Sequence, residues 1–159
     1  MAVKQEIQAV IEQINKGSVT ELNFWHSKLS LEEVKAIAEA LKANKTVTSI
    51  IFGKNQLGDE GAKALADVLK VNDTIAKLNL SQNEISDKGA TALAEALKEN
   101  KALTSISFDN NKVADKGAKA IADALKANET IRFLELINNK GLTPNKILLV
   151  TFLGQQEEV

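Results

Sequence analysis

A 28-residue period constrains this chain more than any other feature. Asn44-Lys45-Thr46-Val47, Asn72-Asp73-Thr74-Ile75, Asn100-Lys101-Ala102-Leu103 and Asn128-Glu129-Thr130-Ile131 recur at that spacing. They frame five repeats, 19–46, 47–74, 75–102, 103–130 and 131–158, which together fill 140 of the 159 residues. A unit this short cannot bury its apolar face alone, so neighbouring units must stack and share one core. The whole chain, 1–159, is therefore expected to form a single domain. No linker or low-complexity stretch interrupts the repeats.

Each repeat changes its hydrophobic period midway. Leu78 and Leu80 alternate with Asn79 and Ser81, and Ile50 with Phe52, Ile106 with Phe108 and Leu134 with Leu136 fill the same slots. Alternation of this kind predicts a half-buried strand. After a turn, Ala90, Leu93, Ala94 and Leu97 follow at i, i+3, i+4 and i+7, which predicts a helix. Asp59, Asp87 and Asp115 stand where N-caps are expected, and Ser30 with Glu33 makes a capping box.

The motif LxxLxLxxNxL appears as Ile75, Leu78, Leu80, Asn83 and Ile85. In this the chain resembles the leucine-rich repeat family, specifically the 28-residue ribonuclease-inhibitor-like class, over essentially its whole length. The resemblance implies an α/β solenoid, a right-handed curved array with parallel strands on the concave face and α-helices on the convex face. AEALKANKTV, from Ala38 to Val47, is similar to the C-terminal repeat domain of tropomodulin. GDEGAKALADVL, from Gly58 to Leu69, is similar to the repeats of Ran GTPase-activating protein. Asn55, Asn83, Asn111 and Asn139 are expected to form a buried ladder, with Ser27 in its place in the first repeat.

A solenoid must close both ends. Val3, Ile7, Val10, Ile11 and Ile14 form a helical stripe that stops near Gly17, so residues 1–18 are read as an N-terminal capping helix. At the other end the last repeat holds an irregular turn around Gly141. Thr143 and Pro144 then suit the start of a C-terminal closing helix carrying Leu148 and Phe152.

Composition narrows the chemistry. There is no cysteine, one histidine (His26) and one arginine (Arg132). That inventory excludes thiolate metal sites and thiol nucleophiles and leaves little for a histidine-based centre. No catalytic residue, metal or cofactor is expected. Lys plus Arg number 20 against 21 Asp plus Glu, which gives no electrostatic reason to expect nucleic acid or a membrane as partner. A cytoplasmic, monomeric, non-enzymatic protein is expected.

What remains is protein binding through the concave sheet. The outward positions include Glu21, Asn23, Trp25, His26, Ile51, Lys54, Lys77, Asn79, Asp109, Phe133, Glu135 and Ile137, with Arg132 at the rim. Trp25, Ile51, Phe133 and Ile137 are apolar there with no core to fill. Trp25 is either a binding anchor, a role in which tryptophan is over-represented, or packing against the N-terminal helix. The tropomodulin resemblance implies actin or another cytoskeletal partner; the Ran activator resemblance implies a small GTPase. A designed or truncated scaffold without a native ligand is a third alternative.

Overall fold

The computed structural model describes residues 2–142 and 149–151. Helix α1 (Ala2–Lys16) leads into strand β1 (Glu21–Asn23), after which helices and strands alternate strictly. They are α2 (Leu31–Ala43), β2 (Ser49–Ile51), α3 (Gly58–Leu69), β3 (Lys77–Asn79), α4 (Asp87–Glu99), β4 (Ser105–Ser107), α5 (Asp115–Ala127) and β5 (Phe133–Glu135). Strands β1 to β5 pair in parallel and in chain order, each one repeat on from the last, so that Leu22, Ile50, Leu78, Ile106 and Leu134 stand side by side. All five are buried, as are Phe24, Phe52, Leu80, Phe108 and Leu136 two residues further on. The rings of Phe24 and Phe52 stack with centroids 5.2 Å apart. Neighbouring strands lie about 4.8 Å apart, whereas packed helices need about 8–10 Å. A layer of each, joined once per repeat, must bend with the strands inside.

The turns between strand and helix leave backbone groups without sheet partners, and the expected asparagine ladder satisfies them. Asn83 Nδ2 donates to the carbonyls of Phe52 and Ser81, both at 3.0 Å, while its Oδ1 accepts from the amides of Asn55 (2.9 Å) and Leu57 (3.3 Å). Asn55, Asn111 and Asn139 repeat the arrangement. A second ladder runs along the opposite edge, where helix returns to strand. Asn72 Nδ2 donates to Leu41 and Asn44 carbonyls, and its Oδ1 accepts from the amides of Thr74 and Ile75. Asn44, Asn100 and Asn128 do the same in their repeats. Among the described residues no buried side-chain nitrogen or oxygen lacks a partner.

The aspartates depart from expectation. Only Ser30 with Glu33 caps its own helix as read from sequence. Asp59 lies inside α3 and instead caps the following helix: Oδ1 accepts from the Ser86 (2.8 Å) and Gly89 (2.9 Å) amides, and Oδ2 from the Ser86 hydroxyl (2.6 Å). Asp87 likewise accepts from the Ala114 and Gly117 amides at the start of α5. This close approach explains the glycines, since a Cβ on Gly89 or Gly117 would stand 2.7 or 2.6 Å from that carboxylate oxygen. Burial pushes the Asp59 carboxyl up, but the Ser86 hydroxyl, the two amides and Lys88 outweigh it and hold the group below its ordinary range.

At the N-terminus α1 packs on α2 and buries Ile7 and Ile14. Gly17 ends it in the left-handed region (φ +65°) with its amide on the Ile14 carbonyl. The C-terminal end differs from the expected helix. Residues 149–151 form a strand, β6 (Leu149–Thr151), antiparallel to β5 with Leu134 opposite Val150. An uncovered β5 would offer a row of unpaired backbone groups, and a strand satisfies them where a helix cannot. Thr143, Pro144, Leu148 and Phe152 lie outside the described residues.

Asn83→Ala removes four hydrogen bonds at a site with no solvent access. Each buried group left without a partner costs about 1–3 kcal/mol, so the variant is expected to lose at least about 3 kcal/mol in chemical denaturation. Asn23→Ala, whose side chain is exposed, should lose less than about 1 kcal/mol.

Candidate functional site

The outward side chains of the sheet fall into rows set by the strand register. The first holds Glu21, Ser49, Lys77, Ser105 and Phe133, and the second Asn23, Ile51, Asn79, Ser107 and Glu135. The same step carried past the strand ends gives a third row of Trp25, Gly53, Ser81, Asp109 and Ile137, joined through the His26 amide on the Gly53 carbonyl and its equivalents. All twelve expected face residues thus lie on one continuous surface or its rim. Glu21, Asn23, Trp25, His26, Lys54, Lys77 and Phe133 are exposed, and Ile51, Asn79, Asp109, Glu135 and Ile137 are half-buried among their neighbours. Arg132 stands apart, at the entrance to β5, and its guanidinium donates to the Glu129 carbonyl at 2.8 Å.

Trp25 owes its position to a residue the sequence reading passed over. A Cβ on Gly53 would collide with the six-membered part of the Trp25 ring. The indole therefore lies over the backbone of the next repeat, in the one slot of its row with no side chain. Asn23 fixes the approach by accepting the Trp25 amide on Oδ1 at 3.0 Å. The ring still keeps 46% of its surface exposed. A large rigid apolar side chain is thus held in place while nearly half exposed, which lowers the ordering cost of binding something against it. A glycine at a row position otherwise filled by Ser81, Asp109 and Ile137 was the available signal.

The other half of the face is polar. Ser81 and Ser107 hydroxyls meet at 3.0 Å, and Asp109 Oδ1 accepts from the Ile137 amide at 2.9 Å. Glu135 sits between these groups, opposite Ser107 in the register. Burial pushes its carboxyl above the ordinary range and the Asp109 carboxylate adds to the shift, against an opposing hydrogen bond from Ser107. Two carboxylates crowded beside hydroxyls favour a partner that brings a hydrogen-bond donor or a cation. Among the described residues no three His, Asp or Glu side chains gather as a metal ion would need, and no helix is long and apolar enough to cross a membrane.

Parallel strands stepped one repeat at a time, an asparagine ladder at their ends and a helix in every unit define a leucine-rich repeat solenoid. The chain belongs to the TMOD/LMOD leucine-rich domain family, which matches residues 2–134. Among solved structures it is similar to the leiomodin-1 actin-binding site 2, with 32% identity and a TM-score of 0.75 over 84% of this chain and 76% of that one. The C-terminal domain of tropomodulin from Caenorhabditis elegans shares the fold at a TM-score of 0.74 and 16% identity, over 80% of each chain. No curated protein matches the sequence.

Trp25 is the only tryptophan and the chain has no tyrosine, so intrinsic fluorescence reads this face alone. Gly53→Ala should lift the indole from its seat and shift its emission to longer wavelength, with the far-ultraviolet circular dichroism unchanged. The raised Glu135 carboxyl has a defined sign. Its stabilising share is complete below the usual glutamate range and is lost as pH rises through the higher folded-state value. Glu135→Gln should therefore raise the melting temperature at pH 7 and leave it unchanged at pH 3.

Proposed function

We propose that this chain is a non-enzymatic protein-interaction module that binds actin through the concave sheet face. The observation that carries the reading is the likeness to leiomodin-1 actin-binding site 2, 32% identical across 84% of this chain, together with membership of the TMOD/LMOD leucine-rich domain family. The face offers what such a contact requires: a seated, half-exposed Trp25 at one end and an exposed Phe133 at the other. Between them lie Ile51, Asn79 and the Asp109–Glu135 pair. Glu21, Lys77 and Lys54 form a charged margin, with His26 and Ile137 at the turn edge and Arg132 beside β5.

Five strands at about 4.8 Å and four residues along each give a projected area of about 250 Å². A standard interface buries about 800 Å² per partner. The adjoining turns, including Lys54, Gln82, Asn110 and Asn138, therefore belong to the contact. The module acts as a monomer in the cytoplasm and needs neither cofactor nor metal.

The test is co-sedimentation with filamentous actin and its counterpart with monomeric actin. Trp25→Ala is expected to weaken binding at least about tenfold, as for a buried aromatic anchor, with the melting temperature within about 3 °C of the parent because the ring fills no core. Intact affinity with a lowered melt would show that Trp25 serves stability. No binding of the parent chain to either form of actin would refute the actin reading.

A further inference from the structure

A groove of about 810 Å³ runs along the edge of the array where strands turn into helices, crossing all five repeats. Its walls carry four lysines, Lys28, Lys54, Lys112 and Lys140, against a single acidic residue, Glu84. That excess is local, since the chain as a whole has a formal charge of −1. Three acidic side chains of the first helical turns are already engaged, whereas Glu32 and Glu60 of the same turns are exposed. Glu33 caps α2, Asp59 caps α4 and Asp87 caps α5 through backbone amides. Glu84 pairs with Lys112 at 2.8 Å. Lys28 and Lys54 have no ion-pair partner among the described residues.

The lysines are also placed in a repeating way. Lys28, Lys112 and Lys140 share one position of the repeat with Gln56 and Glu84, and Lys54 shares another with His26 and Gln82. Lys28, Lys54, Gln56, Gln82 and Glu84 all adopt positive φ, between 54° and 61°. The ladder asparagines, fixed by hydrogen bonds on both sides, lie between them. The side chains therefore project from a rigid rim, with Lys112 and Lys140 at the same position of adjacent repeats. Lys112 is already paired with Glu84, so the remaining positive charge of the rim comes from Lys28, Lys54 and Lys140, and carboxylates placed in the groove would offset it.

We infer that this rim groove binds an extended acidic segment of a protein, in which carboxylates spaced along the backbone meet the lysine rows. The groove crosses five strands, about 19 Å, which an extended peptide spans with about six residues. The lining offers almost no apolar anchor, only Leu29, so affinity comes from charge pairing and the amides of Gln56, Gln82 and Asn110. The groove adjoins the sheet face, and His26, Lys54, Gln82 and Asn110 border both.

The probe is a dye-labelled, capped hexaglutamate peptide followed by fluorescence anisotropy with no actin present. Binding at 50 mM salt should weaken at least about tenfold at 300 mM. Lys28→Glu combined with Lys54→Glu should weaken it by about tenfold or more at 50 mM salt. Lys35→Glu combined with Lys63→Glu, on the helix face, should change it less than about twofold. Lys112→Gln combined with Lys140→Gln gives a second rim variant that introduces no new charge, and it should weaken binding at least about threefold. Melting curves and Trp25 emission confirm that each variant is folded. No binding of the peptide at 50 mM salt, equal losses from the rim and helix-face variants, or tighter binding of an RNA hexamer than of the peptide would each overturn the inference.

Discussion

A strand–helix repeat must make two chain reversals in every unit, and at each the backbone leaves regular secondary structure while still buried. Unpaired amides and carbonyls there would cost about 1–3 kcal/mol apiece, and five repeats would multiply the penalty beyond anything a domain of this size retains. The two asparagine ladders remove it. Asparagine suits the position because its short amide carries donor and acceptor together, so one side chain serves the turn above and the turn below. Asn55, Asn83, Asn111 and Asn139 do this at the strand ends, and Asn44, Asn72, Asn100 and Asn128 at the helix ends. Each ladder bonds a repeat to its predecessor, so turn satisfaction and inter-repeat cohesion are the same set of contacts.

The helix layer follows a similar rule. Asp59 and Asp87 satisfy the amides of the next helix, not their own. Gly89 and Gly117 clear the space for that carboxylate. Ladders and forward caps together mean that no repeat has its polar groups satisfied alone. Such an array needs its ends closed, and the two ends do so differently. Asn44 reaches the Ile14 carbonyl of α1 at 2.7 Å, which extends the helix-end ladder into the N-terminal helix. At the other end β6 pairs the exposed edge of β5.

The repeat period, the alternation inside each strand, the inward residues and the strand-end ladder were legible from sequence, because each is a pattern of residue types at fixed spacing. Membership of the leucine-rich repeats followed from the same residues. The forward capping was not legible: an aspartate near a helix start has the same spacing whichever helix it serves, and only the relative placement of two helices decides. Asn44 and its equivalents were visible as the repeat marker, yet their bonding depends on carbonyls a full repeat or more earlier in the chain. For β6 the sequence favoured a helix by analogy with earlier repeats. What outweighs the analogy at Leu149–Thr151 is the open edge of the sheet, a feature of the assembled array and of no single segment.

The sheet face illustrates how a repeating scaffold can present a specific surface. Ser49 and Ser105 share one row, and the Ser81 and Ser107 hydroxyls meet between two others, so this part of the surface is small and polar. Features that could distinguish partners arise where the period breaks: Trp25 over Gly53 at the first repeats, and Asp109, Phe133 and Glu135 toward the last. Because the strands beneath are locked by the ladders, these departures are held at fixed separations, and a partner meets them already arranged. The same ladders hold the lysine rim beside the sheet. Rigidity that originates in buried turn chemistry thus sets the geometry of both surfaces.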